Sequence, residues 1–112
     1  MSQQGTSHFI FQRGTAVIMI PLVIWFIASV IGHAGDTRAE LMSWIAHIWN
    51  AVPLGILVLV GFFHMRLGME TVIDDYIQNP NLRSTLQLLN TVFALVMGAI
   101  ALWSLVAITL IV

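Results

Sequence analysis

The sequence predicts an all-α integral membrane protein, a single domain built as a three-helix bundle, and three observations carry that prediction. The first is composition: of 112 residues, 59% are hydrophobic and only 8% are charged, too little polar surface to coat a soluble globule of this size. The second is a set of three segments free of Asp, Glu, Lys and Arg: Gly14 to Gly35, Leu41 to Phe63 and Ser84 to Val112. At 1.5 Å per helical residue each is long enough to cross roughly 30 Å of hydrocarbon. The third is the placement of the arginines. Arg13, Arg66 and Arg83 fall on one side of the membrane and Arg38 alone on the other, so the amino terminus is expected on the cytoplasmic or matrix side and the carboxyl terminus outside.

In lipid a spanning backbone must satisfy its own N–H and C=O groups, and three strands cannot close a barrel, so the spans are read as helices. The first is expected over about residues 12–33. Its Gly32-His33-Ala34 resembles a small-x-small cleavage pattern, but the apolar stretch exceeds a signal core and one arginine precedes it, so a membrane span is the better reading. The loop "HAGDTRAE", His33 to Glu40, leads to a second helix expected over about residues 41–76. The connection "DDYIQNPNLR", Asp74 to Arg83, contains Asn79-Pro80-Asn81, a helix stop because proline lacks an amide donor. A third helix is expected over about residues 84–110. Pro21 and Pro53 lie inside the first two helices and are expected to bend them. Each helix carries one small-xxx-small pair, Ala28 with Gly32, Ala51 with Gly55 and Ala94 with Gly98, a spacing that permits close helix approach in lipid.

The chain has no cysteine, which excludes disulfides, cysteine-ligated iron–sulfur clusters and thiolate zinc within it. A metal would rest on histidine or carboxylate. The net charge of −1 argues against a nucleic-acid partner.

The stretch "HMRLGMETVIDDY", His64 to Tyr76, concentrates the candidate chemistry. Gly61, His64 and Gly68 share one helix face, leaving a hydrogen in place of a side chain on either side of the imidazole. That clearance would admit a porphyrin whose iron is held by the ring at about 2 Å; a boundary histidine bonded to a neighbouring helix fits the same residues. If His64 does hold haem, a second axial imidazole is hard to find within the chain. His47 is seventeen residues away on the same predicted helix, roughly 25 Å along its axis. His33 belongs to the opposite side, the third span has no histidine, and His8 precedes Arg13 in the amino-terminal approach. The second ligand is therefore expected from another protein, and His8, His33 and His47 read as loop or interfacial residues. Arg66, about 200° round the helix from His64, is expected to snorkel to the interface.

Tyr76 lies twelve residues beyond His64, about 18 Å further along the helix. Asp74 and Asp75 sit near the helix carboxyl end, where the macrodipole disfavours negative charge by several tenths of a kcal/mol. A compensating cation is expected, with Arg83 the candidate within the chain. A surface tyrosine beside aspartates reads either as an aromatic-belt anchor with solvated acids or as a quinone head-group site, in which a phenol donates to a carbonyl oxygen and carboxylates relay protons.

His64-x3-Gly68-Met69, then Asp75-Tyr76, Pro80 and a long apolar helix, with "HFIFQRGTAV" from His8 to Val17 leading into the first span, resemble the small hydrophobic membrane-anchor subunit of succinate dehydrogenase, respiratory complex II. The resemblance covers nearly the whole chain. It implies that His64 is an axial ligand of haem b, the other histidine coming from the larger cytochrome b556 anchor subunit. It implies further that Tyr76 hydrogen-bonds a ubiquinone carbonyl, that Asp75 belongs to the same site, and that Arg13 lies near a haem propionate. A flavoprotein subunit would oxidise succinate and an iron–sulfur subunit would conduct the electrons, so the chain itself would not touch succinate and is not expected to be catalytic alone. His8, Asp74 and Arg66 match no functional position of the family, and His8 is offset by one residue from the family's histidine. The lack of a basic presequence points to a bacterial cytoplasmic membrane ahead of a mitochondrial inner membrane. Alternatives are a quinol:fumarate reductase anchor, which runs the same architecture in reverse, a non-redox structural or assembly protein, and an oligomeric transporter, for which the third span offers few polar residues beyond Gln87, Asn90, Ser104 and its threonines.

Overall fold

The computed structural model describes residues 3–112. Four helices follow in order: α1 (Gln3–Gly32), α2 (Arg38–Ala46), α3 (Ile48–Tyr76) and α4 (Pro80–Ile111), with no strand among the described residues. Three of them, α1, α3 and α4, are long and apolar enough to cross a membrane. The first begins well ahead of its apolar stretch, at Gln3, so the segment carrying His8 and Arg13 is helical. At about 1.5 Å per residue, the 30 residues of α1 exceed what a hydrocarbon core of roughly 30 Å requires. Helix α3 is central: α1 and α4 each pack against it and not against each other. The bundle is thus an open row, with the outer faces of α1 and α4 left to lipid or to other chains.

The expected second helix is two. His47 takes an extended conformation, φ −69° and ψ 130°, and caps both neighbours. Its backbone N–H donates to Trp44 O, while its ring Nδ1 accepts from the Trp49 N–H at 3.3 Å. Asn50 Nδ2 donates to the same Trp44 carbonyl at 2.9 Å, meeting the acceptor that the break leaves open. The interruption therefore falls at His47 rather than at Pro53, which sits within the early turns of α3. Helix α2 has its own start: Thr37 accepts from the Glu40 N–H at 3.2 Å, the hydroxyl half of a capping box. Around the α1–α2 turn, Trp25 stacks on Trp44 with centroids 5.8 Å apart, and His33 pairs with Asp36 while tilting over the same indole at 4.7 Å.

Asn79-Pro80-Asn81, read as a stop, is also a start. Asn79 Oδ1 accepts from the N–H groups of Asn81 and Leu82, and Pro80 occupies the first turn of α4, where its missing donor is no loss.

Two of the three small-residue pairs lie in the α3–α4 seam. Ala51 and Ala94 are buried; a Cβ on Gly55 would lie 3.5 Å from Leu105, and one on Gly98 would lie 3.8 Å from the Phe62 ring. Ala28 and Gly32 of α1 are exposed. Polar groups lock the same seam. Arg66 Nε donates to Thr91 Oγ1 at 3.2 Å, and Asn90 Nδ2 donates to Arg66 O at 3.0 Å. Gln87 Nε2 donates to Glu70 O at 3.0 Å and to Asp74 Oδ1 at 2.9 Å. The expected Arg83 partnership with the acids is not formed, since Arg83 turns to Gln78 O; the amide of Gln87 supplies the positive end of a dipole instead. Gln87→Leu should loosen α3 from α4 by about 1 kcal/mol, the usual scale of an interhelical hydrogen bond in lipid. A lowered midpoint in dodecylsulfate titration of the purified protein would register it.

Candidate functional site

Helices α1 and α3 run antiparallel and meet along a polar seam. His64 Nδ1 lies 2.9 Å from Thr15 Oγ1, and His8 Nε2 lies 2.9 Å from Thr71 Oγ1. Each partner is seven residues from its counterpart (15 − 8 on α1, 71 − 64 on α3), close to two helical turns. Two histidine–threonine rungs therefore lie on one face of each helix, with the roles exchanged. Between them Gln12 packs over Gly68, where an added Cβ would stand 3.3 Å from Gln12 Nε2. Phe11 and Phe63 meet edge to face at 6.0 Å beside the rungs.

The rung at His64 orients the ring. Thr15 is the one polar residue buried among the described residues, at 9% exposure. Its hydroxyl has two carbonyl acceptors in its own helix, Phe11 O at 2.8 Å and Gln12 O at 3.1 Å, and a hydroxyl has one proton to give. Its oxygen consequently serves as acceptor and Nδ1 of His64 as donor. That is the tautomer whose lone pair lies on Nε2, the nitrogen with no hydrogen bond among the described residues.

His64 lines an open groove of roughly 590 Å³ with Gly5, His8, Gln12, Arg13 and Gly68 among its other walls. Arg13 holds its guanidinium 5.1 Å above the Phe9 ring and brings a positive charge to the same groove. Gln12 Oε1 is a buried acceptor without a protein partner, which a native structure seldom tolerates without a ligand or water to meet it. The clearance expected from the two glycines is taken up by α1 on both sides: a Cβ on Gly61 would meet Met19 Cε at 3.8 Å and one on Gly68 would stand 3.3 Å from Gln12 Nε2, so both glycines admit α1.

No cluster of three or more His, Cys, Asp or Glu among the described residues is placed to hold a metal ion. A single accessible imidazole nitrogen suits a metal whose other positions are already filled, as in a porphyrin, and does not suit a bare ion. Arg13, at the wall of the same groove, is available to a carboxylate. His8 is half-buried on α1 rather than in a loop, and its position roughly 10 Å along the seam from the His64 rung is too far for two imidazoles on one iron.

Tyr76 and Asp75 are elsewhere. Tyr76, the last residue of α3, is 79% exposed and borders a second groove of about 430 Å³ between α3 and α4, walled by Met69, Val72, Leu86, Leu89 and Phe93. Asp75 is exposed, whereas Asp74 is engaged by Gln87. The structure thus brings Arg13 to His64 and holds Tyr76 with Asp75 at the end of α3, at a different face. Thr15, Thr71 and Gln12 were not singled out by sequence reasoning. The mirrored seven-residue spacing of His8–Thr15 and His64–Thr71 is the signal that could have found the two threonines.

Comparison with known proteins adds the family. Residues 1–111 match the model of the succinate dehydrogenase/fumarate reductase transmembrane subunit. The succinate dehydrogenase hydrophobic membrane anchor subunit of Rickettsia conorii is 31% identical over 96 residues, 85% of this chain and 76% of that protein. Its counterpart in Rickettsia felis is 32% identical over 92 residues, 82% and 77% of the two chains. The succinate dehydrogenase membrane anchor subunit of Reclinomonas americana is 25% identical over 85 residues, 73% and 71% of the two. With nearly its entire length matched in this way, the chain belongs to the family of succinate dehydrogenase and fumarate reductase transmembrane subunits.

Proposed function

We propose that the chain is a membrane anchor subunit of succinate:ubiquinone oxidoreductase, that His64 is an axial ligand of haem b shared with a cytochrome b556 anchor subunit, and that Tyr76 and Asp75 form part of the ubiquinone-reduction site. The observation that carries the haem reading is the His64 ring, oriented through Nδ1 by Thr15 with Nε2 free at a groove that also holds Arg13. Haem bound there supplies a one-electron carrier within the apolar layer. The chain's own residues would hold it: Nε2 of His64 would offer its lone pair to the iron, and the Arg13 guanidinium would pair with a propionate carboxylate. At the far end of α3 the Tyr76 hydroxyl donates to a quinone carbonyl oxygen, while Asp75, exposed to water, passes on protons. Reduction of the quinone takes up two electrons and two protons. The electrons arrive from succinate through flavoprotein and iron–sulfur subunits docked at this end, and the complex resides in a bacterial cytoplasmic membrane.

The family description covers fumarate reductases as well, which use the reverse direction. The relatives named as succinate dehydrogenase subunits favour succinate oxidation. Purification of the chain in mild detergent tests the assignment: a flavoprotein, an iron–sulfur protein and a second anchor should come with it, together with a reduced-minus-oxidised b-type band. Isolation without the flavoprotein and iron–sulfur protein would overturn the reading.

A further inference from the structure

We infer that Thr15 is a positioning residue for His64, selecting the imidazole tautomer and fixing the ring plane in which Nε2 is presented; this rests on the haem reading above. Three independent features meet at Thr15. Its oxygen is the hydrogen-bond partner of Nδ1 at 2.9 Å. Its own proton is drawn to the Phe11 and Gln12 carbonyls, which leaves the oxygen free to accept. It is buried where His64 packs on α1, so water does not compete for the ring nitrogen.

A histidine that ligates a metal commonly gives its second N–H to a fixed acceptor, which sets tautomer and orientation and raises the basicity of the ligating nitrogen. Here the acceptor comes from a different helix. The placement of α1 against α3 is thereby tied to the direction of the His64 lone pair, and the second rung, His8 with Thr71, holds the same register two turns away. Thr15 touches neither iron nor quinone in this scheme. It acts through the ring.

The experiment uses the full complex with Thr15→Val, which keeps the shape and removes the hydroxyl, and Thr15→Ser, which keeps the hydroxyl and removes the methyl. The readouts are haem retained per flavin, the rate at which haem passes to an external apoprotein acceptor, and the low-spin ferric resonance spectrum, which reports axial-ring orientation. Thr15→Val should lower haem affinity by roughly 10–100-fold, the scale for loss of an outer partner, and shift the spectrum, with the subunits still copurifying; Thr15→Ser should restore both. Wild-type retention and spectrum in Thr15→Val would overturn the inference. So would equal losses in Val and Ser variants, which would assign the effect to packing of the methyl group. His64→Ala measured in parallel separates the two levels: if it keeps the b-type haem unchanged, the ligand assignment itself fails, whereas haem loss there beside an unaltered Thr15→Val condemns only the role of Thr15.

Discussion

His64→Ala should abolish the b-type absorption band of the purified complex while leaving succinate oxidation by a soluble artificial acceptor largely intact. The substitution removes the nitrogen that the proposed site offers to iron, and the nearest alternatives do not replace it: His8 lies roughly 10 Å further along the seam, and Gln12 and Thr71 are poor ligands for haem iron. The effect on haem affinity should therefore exceed the roughly 10–100-fold expected when only an outer partner is lost. Loss of the ring also leaves the Thr15 oxygen without its donor and opens a gap in the α1–α3 seam, at a cost of about 1–3 kcal/mol. Since α3 remains held to α4 by Gln87, Asn90 and Arg66, the chain should still assemble. Haem content, copurification of the other subunits and acceptor-linked succinate oxidation, measured on one preparation, distinguish ligand loss from collapse. A full b-type band in the variant would remove the basis for assigning His64 to iron.

The spans and the candidate residues were legible because hydrocarbon imposes a simple rule on sequence: long uncharged runs must be helices, and an ionisable group among them needs a reason. His64 stood out on that ground. What it bonds to did not, because the identity of its partner depends on the register of α1 against α3, and register is set by many contacts between segments far apart in the chain. Thr15 in an apolar helix looks unremarkable until α1 is laid beside α3; then its hydroxyl meets the imidazole. Arg66 is a second case. Its position near the end of an apolar run suggested a cation reaching for the interface, and only the packing of α4 adds that Thr91 lies opposite and accepts its Nε–H. The break at His47 was hidden for a further reason. Proline is a visible interrupter, whereas His47 and Asn50 interrupt by offering side-chain hydrogen bonds to a backbone that could equally have remained helical.

Tyr76→Phe is expected to slow quinone-linked turnover strongly while succinate oxidation by the artificial acceptor continues. The location supports a selective effect. Tyr76 is 79% exposed at the end of α3, so removal of its hydroxyl breaks no hydrogen bond among the described residues and should scarcely alter stability; exposed substitutions of this sort usually stay within about 0.5 kcal/mol. The size of the kinetic loss then tells what the phenol does. A hydroxyl that merely orients a quinone carbonyl contributes about 1 kcal/mol, roughly fivefold, and its loss should fall mainly on KM. One that transfers a proton in the rate-limiting step contributes on the order of 100-fold or more, in kcat as well. Asp75→Asn separates the carboxylate from the phenol, because it retains the volume and removes the carboxylate: a relay role predicts slower turnover with little change in KM. If Tyr76→Phe depresses the soluble-acceptor and quinone assays equally, the tyrosine acts in assembly rather than at the quinone, and the end of α3 must be assigned to subunit docking alone.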